Sequence, residues 1–155
     1  MIKINVITNN SNWYRYIKNP NNYIDRKVYK LNLSSKKFFK KTIFCTLLLS
    51  GDKEIKSLNS KFRKKNKATD VLSFPFQNKN ELKKNLNQNK EIYLGDIIVS
   101  LDQIKRKKVL KYFKIEFDKL WIHGLVHLLG FDHKKDQDFY KMNRIEKKYT
   151  KIIYD

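Results

Sequence analysis

The residues most able to do chemistry are the three histidines of the chain, which all fall within eleven residues. His123 and His127 are four apart, so one helix would present both imidazoles on the same face. Gly130 can adopt the left-handed conformation that ends a helix, which allows the chain to turn back and bring His133 toward the first two rings. This spacing predicts a three-histidine site with an open fourth position, which is typical of catalytic zinc. Three imidazoles also suit nickel.

The same spacing fits the zinc-protease pattern H-E-x-x-H-x-x-G-x-x-H with one departure. Gly124 stands where that pattern has its glutamate, and glycine cannot act as a general base. Three neutral ligands would leave the metal its full positive charge, which favours an anionic phosphodiester as substrate. A zinc peptidase is therefore a weaker alternative than a nuclease.

The charge balance also favours a polyanionic partner. Lys and Arg together number 35 against 15 Asp and Glu, which gives a formal net charge of +20. Nucleic acid is the first expectation and a membrane surface the second. The chain is rich in Lys, Asn and Ile, which have AT-rich codons, and holds a single Ala. Part of the positive charge is therefore expected to follow from codon bias and not from function.

The elements that must position the histidines can be predicted from periodicity. Apolar residues at period two, or in short runs, predict strands, and a 3.6-residue spacing predicts helices. Strands are expected at 2–6, 42–49, 71–76 and 93–100. Short helices are expected around Asn19-Pro20, a helix carrying Ile55, Leu58 and Phe62 after Ser50-Gly51-Asp52, and further helices at 101–113, 118–129 and 136–152. The Asn/Lys-rich segment 77–90 is predicted to be a mobile loop. The pattern indicates one α+β domain over residues 1–155, with a small, mainly four-stranded sheet, about five helices packed against it, and the metal site at the end of an apolar helix.

Cysteine usage and hydropathy bear on the compartment. Cys45 is the only cysteine and lies within an apolar segment, so we expect a small buried hydrophobic residue. The N-terminus alternates apolar and polar residues, and no apolar stretch approaches the roughly 18 residues of a membrane span. A cytoplasmic protein without a membrane partner is the expectation.

Three sequence blocks resemble the signatures of the YbeY family of bacterial rRNA maturation factors and endoribonucleases. The segment 123–133 is similar to H-G-x-L-H-L-x-G-Y-D-H, with Val126 in place of Leu and Phe131 in place of Tyr. Leu58-Asn59 with Phe62-Arg63, followed by 69–75 (TDVLSFP), is similar to a second block. Segment 94–97 (LGDI) is similar to a third. These blocks span about half of the chain in the family's order.

The resemblance implies a zinc-dependent, single-strand-specific endoribonuclease that acts in 3′ end maturation of 16S ribosomal RNA and in ribosome quality control. Its partners would be ribosomal RNA, the small ribosomal subunit and ribosome-associated proteins. It implies that Arg63 faces the metal cleft, where a guanidinium could hold a phosphate bidentately. Catalysis would then rest on Arg63 and His127.

Charged residues around these motifs have two interpretations each. Lys64 and Lys65, with Arg63, are expected to contact RNA phosphates, although such a run is often only a solvated surface. Asp132 and Asp96 could each support a ligand imidazole through a hydrogen bond, or could cap a turn.

Two further functions stay open beside the endoribonuclease. One is a ribosome-assembly or RNA-binding factor whose metal is structural. The other is a metzincin-like zinc hydrolase, a function that Gly124 disfavours because it replaces the general-base glutamate. Cleavage of RNA but not of casein would separate the endoribonuclease from the peptidase, and an open metal site would separate it from the assembly factor.

Overall fold

The sheet begins where apolar and polar residues alternate. A computed structural model describes residues 1–34, 40–132 and 136–155. In it β1 (Ile2–Thr8) buries Ile2, Ile4 and Val6 and exposes the residues between them. The other strands are β2 (Thr42–Ser50), β3 (Val71–Pro75) and β4 (Glu91–Ser100). All four strands predicted from the sequence are therefore confirmed.

Helices connect these strands. A 3₁₀ helix covers Ser11–Arg15, and Pro20 is the first residue of the helix that follows it, a position that suits its fixed φ. The α-helices within the described residues are α1 (Pro20–Ser34), α2 (Asp52–Arg63), α3 (Lys79–Gln88), α4 (Leu110–Leu128) and α5 (Asp136–Tyr154). The predicted α+β class, with four strands and five helices, is confirmed.

The sheet has the order β1-β2-β4-β3. β1, β2 and β4 run parallel, and β3 pairs antiparallel with β4 at one edge. Pro75 ends this edge strand, as its missing N–H requires, and pairs with Gly95. Gly95 has φ +128°, and a Cβ there would lie 2.1 Å from the Phe74 carbonyl oxygen. Glycine at position 95 is thus what allows β3 to approach β4 this closely.

The two faces of the sheet are covered differently. Ile97 and Val99 of β4 pack into the main core with Trp121 and Leu125 of α4. On the opposite face, Ile98 packs with Ile55 of α2 in a smaller cluster. α4 and α2 therefore sandwich the β3–β4 side of the sheet, and the ends of both helices reach its edge.

The predicted mobile loop at 77–90 is wrong, because most of this segment forms α3. The Asn78 side chain accepts from the Asn80 and Glu81 N–H groups, and the Glu81 carboxylate accepts from the Asn78 N–H, which completes a capping box. Leu82 is buried and anchors the helix to the core. A strong cap and one apolar anchor outweigh the polar composition.

The predicted basic helix at 101–113 is also wrong. Residues 101–109 form turns, and α4 is one helix that starts at Leu110 rather than at Asp118. The Glu116 carboxylate accepts from the backbone N–H groups of Lys105 and Arg106 at 2.9 and 3.1 Å, which holds the turns against α4.

A buried carboxylate fixes α4 to its neighbours. Asp118 has no solvent exposure and accepts from the Tyr23 and Tyr154 hydroxyls at 2.9 and 2.6 Å and from Trp121 Nε1 at 2.8 Å. The Lys27 ammonium lies 3.3 Å away. Burial raises the pKa of both tyrosines, and Asp118 raises it further, so they stay hydroxyl donors. This network joins α1, α4 and α5 and sets the position of the helix that carries the histidines.

Cys45 is buried in β2, as predicted. Burial raises the pKa of its thiol to about 12, so it remains a protonated, unreactive group.

No helix in the three described ranges is long and apolar enough to cross a bilayer.

Candidate active site

Two of the three predicted metal ligands meet at the end of α4. His123 and His127 face the same side of the helix, with ring centroids 4.5 Å apart and ring planes at 85°. Their Nε2 atoms lie 3.1 Å apart. The four-residue spacing has thus placed both imidazoles at one point, as the sequence predicted.

The other nitrogen of each ring points at an acceptor. His123 Nδ1 lies 2.7 Å from a Glu146 carboxylate oxygen, and His127 Nδ1 lies 3.0 Å from the Phe131 carbonyl oxygen. An acceptor at Nδ1 requires the hydrogen to be there, so each neutral ring presents a lone pair at Nε2. Two lone pairs that converge on one point are the arrangement that a cation requires. Ligands 2.0–2.1 Å from a tetrahedral zinc would lie about 3.3 Å apart, close to the observed separation.

The turn after α4 supplies one of these acceptors. Gly130 has φ +89°, its N–H donates to the His127 carbonyl, and the Phe131 N–H donates to the Val126 carbonyl. These bonds form a Schellman motif, and Gly130 has the left-handed, helix-ending conformation predicted for it. The reversal brings the Phe131 carbonyl back to His127. His133, the third predicted ligand, lies outside the described residues, and the described residues alone contain no group of three or more potential ligands.

The carboxylate that supports His123 was not found by sequence reasoning. Glu146 lies on α5, 23 residues after His123, so the pairing depends on how two helices pack. One clue existed, because Glu146 is the only acidic residue between positions 139 and 154. A carboxylate on the outer nitrogen of a ligating histidine fixes its tautomer and ring orientation.

The two predicted supporting carboxylates have different positions. The Asp96 side chain accepts from the Tyr93 hydroxyl, and the acceptors at the two described imidazoles are Glu146 and Phe131. The role of Asp96 in supporting a ligand imidazole stays a prediction. Asp132 and His127 line one cleft at the surface, and the supporting role of Asp132 stays a prediction.

The packing of α4 on the sheet explains why position 124 is a glycine. A Cβ at this position would lie 2.5 Å from Ile97 Cγ2, so only glycine lets α4 pack this closely on β4. Position 124 faces the sheet, whereas the two imidazoles line depressions on the surface of the protein. The position that carries the base in zinc proteases therefore points into the core here.

Arg63 is the last residue of α2 and is exposed at the edge of the sheet. One guanidinium nitrogen donates to the Ser73 carbonyl of β3 at 3.0 Å, and the guanidinium carbon lies 5.9 Å from the centre of the Phe74 ring. These contacts hold the side chain at the edge strand. Four of its five N–H donors remain for a ligand.

One cleft joins Arg63 to His127. It has a volume of about 790 Å³ and is lined by Arg63, Lys65, Lys79, Ser73, His127 and Asp132 among others. The sequence-predicted residues Arg63, Lys65, His127 and Asp132 thus come together, and Lys79 was missed because the segment was assigned to a loop. Lys64 is exposed beside the cleft without lining it.

A left-handed residue ends α2 and shapes the basic loop. Lys64 has φ 55°, and the buried Asn59 donates from its amide to the Lys67 carbonyl at 2.8 Å. Asn59 therefore organises the loop that follows Arg63, which gives this motif position a structural role.

We expect Lys64→Gly to stabilise the protein. A left-handed conformation costs a non-glycine residue about 1–2 kcal/mol, more than the roughly 0.4–1 kcal/mol that glycine costs through the unfolded state. The net gain of about 0.5–1 kcal/mol should raise Tm by about 1–4 °C. Lys65→Gly, where φ is negative, is the matched control and should lower Tm. Destabilisation by Lys64→Gly would contradict the assigned backbone.

Comparison with known proteins adds to this geometry. Residues 7–153 match a family model described as Endoribonuclease YbeY. A protein named Endoribonuclease YbeY from Pelagibacter ubique is 42% identical over 99% of this chain and 97% of its own length. One of the same name from Ehrlichia canis is 35% identical over 94% of this chain and 88% of its own. The solution structure of TM1509 from Thermotoga maritima has a similar fold, with a TM-score of 0.57 and 25% identity, over 99% of this chain and 89% of that one.

Proposed function

The chain belongs to the YbeY endoribonuclease family, and from that premise we propose that it is a metal-dependent endoribonuclease specific for single-stranded RNA. Its substrate is the 3′ end region of precursor 16S ribosomal RNA, and its role is maturation and quality control of the small ribosomal subunit in the cytoplasm. Ribosome-associated proteins are further partners. The observation that carries the proposal is the pair of converging imidazoles, one of which, His127, lines the same cleft as Arg63.

The metal is one zinc per chain, held by His123, His127 and His133, with nickel as an in vitro substitute. The donor chemistry fits, because both described imidazoles present Nε2 lone pairs to a common point. When bound, zinc would supply Lewis-acid charge to the reacting phosphate.

The protein's own residues bind and orient the RNA. The remaining N–H groups of Arg63 hold the scissile phosphate and stabilise the charge that develops on it in the transition state. Lys65 and Lys79 line the same cleft and contact neighbouring phosphates. Lys64, which is exposed beside the cleft, adds to the positive electrostatic potential there. Contacts of this kind give affinity without sequence preference.

The geometry opposes a peptidase. Since position 124 faces Ile97 of the sheet, neither this chain nor its simple variants can place a general base there beside the imidazoles. The assembly factor with a structural metal has no observation of its own in its favour.

The function is tested by cleavage assays with metal-loaded and chelator-treated protein. We expect the loaded protein to cut single-stranded RNA from the 3′ end of its 16S precursor, and to leave the same sequence in duplex form and casein uncut. Chelation should abolish cleavage, and added zinc should restore it. Cleavage that survives complete metal removal would contradict the proposal.

A second test concerns the metal alone. Elemental analysis should find about one zinc per chain, and Glu146→Gln should weaken zinc binding by about 10- to 100-fold, the usual cost of losing a carboxylate behind a ligating histidine. Affinity is measured by competition with a chromophoric chelator. Asp138→Asn, which also removes one charge from the lining of the Arg63 cleft but has no described contact with His123 or His127, is the control. Equal effects of the two variants would show that only charge matters at Glu146.

A further inference from the structure

A second groove lies on the other side of the histidine pair. It has a volume of about 680 Å³ and runs between α4, α5 and the start of β3. His123 forms part of its wall, whereas His127 belongs to the cleft with Arg63. The two imidazoles thus separate two adjoining depressions, and only the Arg63 side is used by the proposed function.

The groove is framed by two rows of residues. On α4, Lys119, His123 and His127 follow one another at intervals of four, so they form one ridge about 12 Å long. On α5, Lys147 and Lys151 form a second row at the same interval, and all three lysines are exposed and line the groove. The helices run antiparallel, because Asp118 contacts Tyr154 and His123 contacts Glu146. The lysines therefore lie on the side of the metal site away from Arg63.

The charge of the groove is available to a ligand. Its two carboxylates already have hydrogen bonds, since Glu146 contacts His123 and Asp70 accepts from the Val71 N–H. No carboxylate in the described ranges forms an ion pair with Lys119, Lys147 or Lys151. Between the lysines the floor includes the apolar side chains of Val71 and Leu120. Ammonium groups around an apolar floor complement a single nucleic acid strand, whose phosphates are anionic and whose bases and riboses are not.

We infer that this groove binds the RNA strand on the side of the metal site opposite Arg63, so that the substrate passes across both depressions with the scissile phosphate at the histidines. The inference rests on the proposed function for the position of the scissile phosphate. The binding itself rests on the three lysines and on the continuity of the groove with the metal site. Lys119, Lys147 and Lys151 contact phosphates and set how many nucleotides the protein covers.

The test compares a long and a short RNA on metal-loaded protein. The probes are fluorescent, cleavage-resistant single strands with 2′-O-methyl and phosphorothioate groups, one long enough to span both depressions and one that fills only the Arg63 cleft. On a single strand, three phosphate contacts make the logarithm of the binding constant fall with the logarithm of the salt concentration with a slope of about −2. Between 50 and 200 mM salt their contribution to affinity therefore falls about 18-fold. We therefore expect the triple variant Lys119→Ala, Lys147→Ala, Lys151→Ala to bind the long strand at least tenfold more weakly at 50 mM salt, with most of this difference lost at 200 mM. Its affinity for the short strand should be unchanged.

A second triple variant controls for net charge. Lys105, Lys108 and Lys111 are also exposed but lie at and before the start of α4, at least 12 residues before His123. Replacing them by Ala removes the same three charges and should change affinity for both strands only slightly and equally. Equal losses in the two triple variants, or equal losses for the two strands, would overturn the inference. So would unchanged RNA binding by the groove variant together with loss of binding to an acidic peptide.

The two proposals fail separately. Because the probes resist cleavage, the binding result stands whether or not the protein cuts RNA. Absence of metal-dependent cleavage with a length-dependent effect of the groove lysines would remove the enzyme function and keep the groove. Normal metal-dependent cleavage, without a length-dependent effect of the groove lysines on binding, would keep the enzyme function and remove the groove.

Discussion

Replacing Arg63 by Ala is expected to lower the rate of RNA cleavage by about 100- to 1000-fold while leaving about one zinc per chain. The magnitude is the usual cost of removing one preorganised donor to the transition state. The metal should remain because Arg63 contacts Ser73 and Phe74 rather than either described histidine. Single-turnover cleavage of a labelled RNA and elemental analysis of the same sample give the two quantities.

His127→Ala is the complementary change and should lose both cleavage and metal. Its imidazole contributes one of the two converging Nε2 atoms, so its removal leaves His123 facing no described partner ring. Arg63→Lys keeps the charge but not the planar fork, and we expect only partial recovery of the rate. Full cleavage by Arg63→Ala or by metal-free protein would favour the assembly-factor function and indicate a contaminating nuclease.

The features that the sequence predicted well are those set by local geometry. The spacing of His123 and His127 fixes their common face on any helix, and Gly130 ends that helix through backbone conformation alone. Alternation of apolar residues likewise places Ile2, Ile4 and Val6 on one face of β1. These relations need no knowledge of the rest of the fold.

Sequence reasoning missed contacts between residues that are distant in the chain. It also missed a helix N-cap within a polar segment. Glu146 reaches His123 only because α5 packs antiparallel to α4. The α3 helix was hidden by its Asn/Lys-rich composition, although Asn78 and Glu81 have the spacing of a capping box. Glu116 holds the turn at 101–109 from outside that segment.

The glycine at position 124 has two consequences. It leaves the chain without the catalytic base of the zinc-protease pattern, and its lack of a side chain allows the close contact between α4 and β4. The contact between α4 and β4 leads to the stronger prediction, because it constrains position 124 even when a glutamate is restored there.

Gly124→Glu, which restores the zinc-protease pattern at this position, is expected to produce no peptidase and to remove most of the stability of the fold. The new Cβ would lie 2.5 Å from Cγ2 of Ile97, a fully buried residue, so the helix must move. Overpacking costs about 1–3 kcal/mol, and an unpaired carboxylate in the core costs several more. Domains of this size are stable by only about 5–15 kcal/mol. Soluble yield, thermal unfolding and casein cleavage are the measurements.

Gly124→Ala separates the steric cost from the charge. Alanine gains about 1 kcal/mol in helix propensity, so its net cost should be about 0–2 kcal/mol in the natural background. Replacing Ile97 by Ala removes the three atoms nearest to the new Cβ, and Gly124→Ala should then become neutral or stabilising. Denaturant unfolding of the four proteins in this cycle should give a favourable coupling energy of about 1–3 kcal/mol between the two positions. A coupling near zero, or casein cleavage by folded Gly124→Glu, would show that position 124 does not face the sheet.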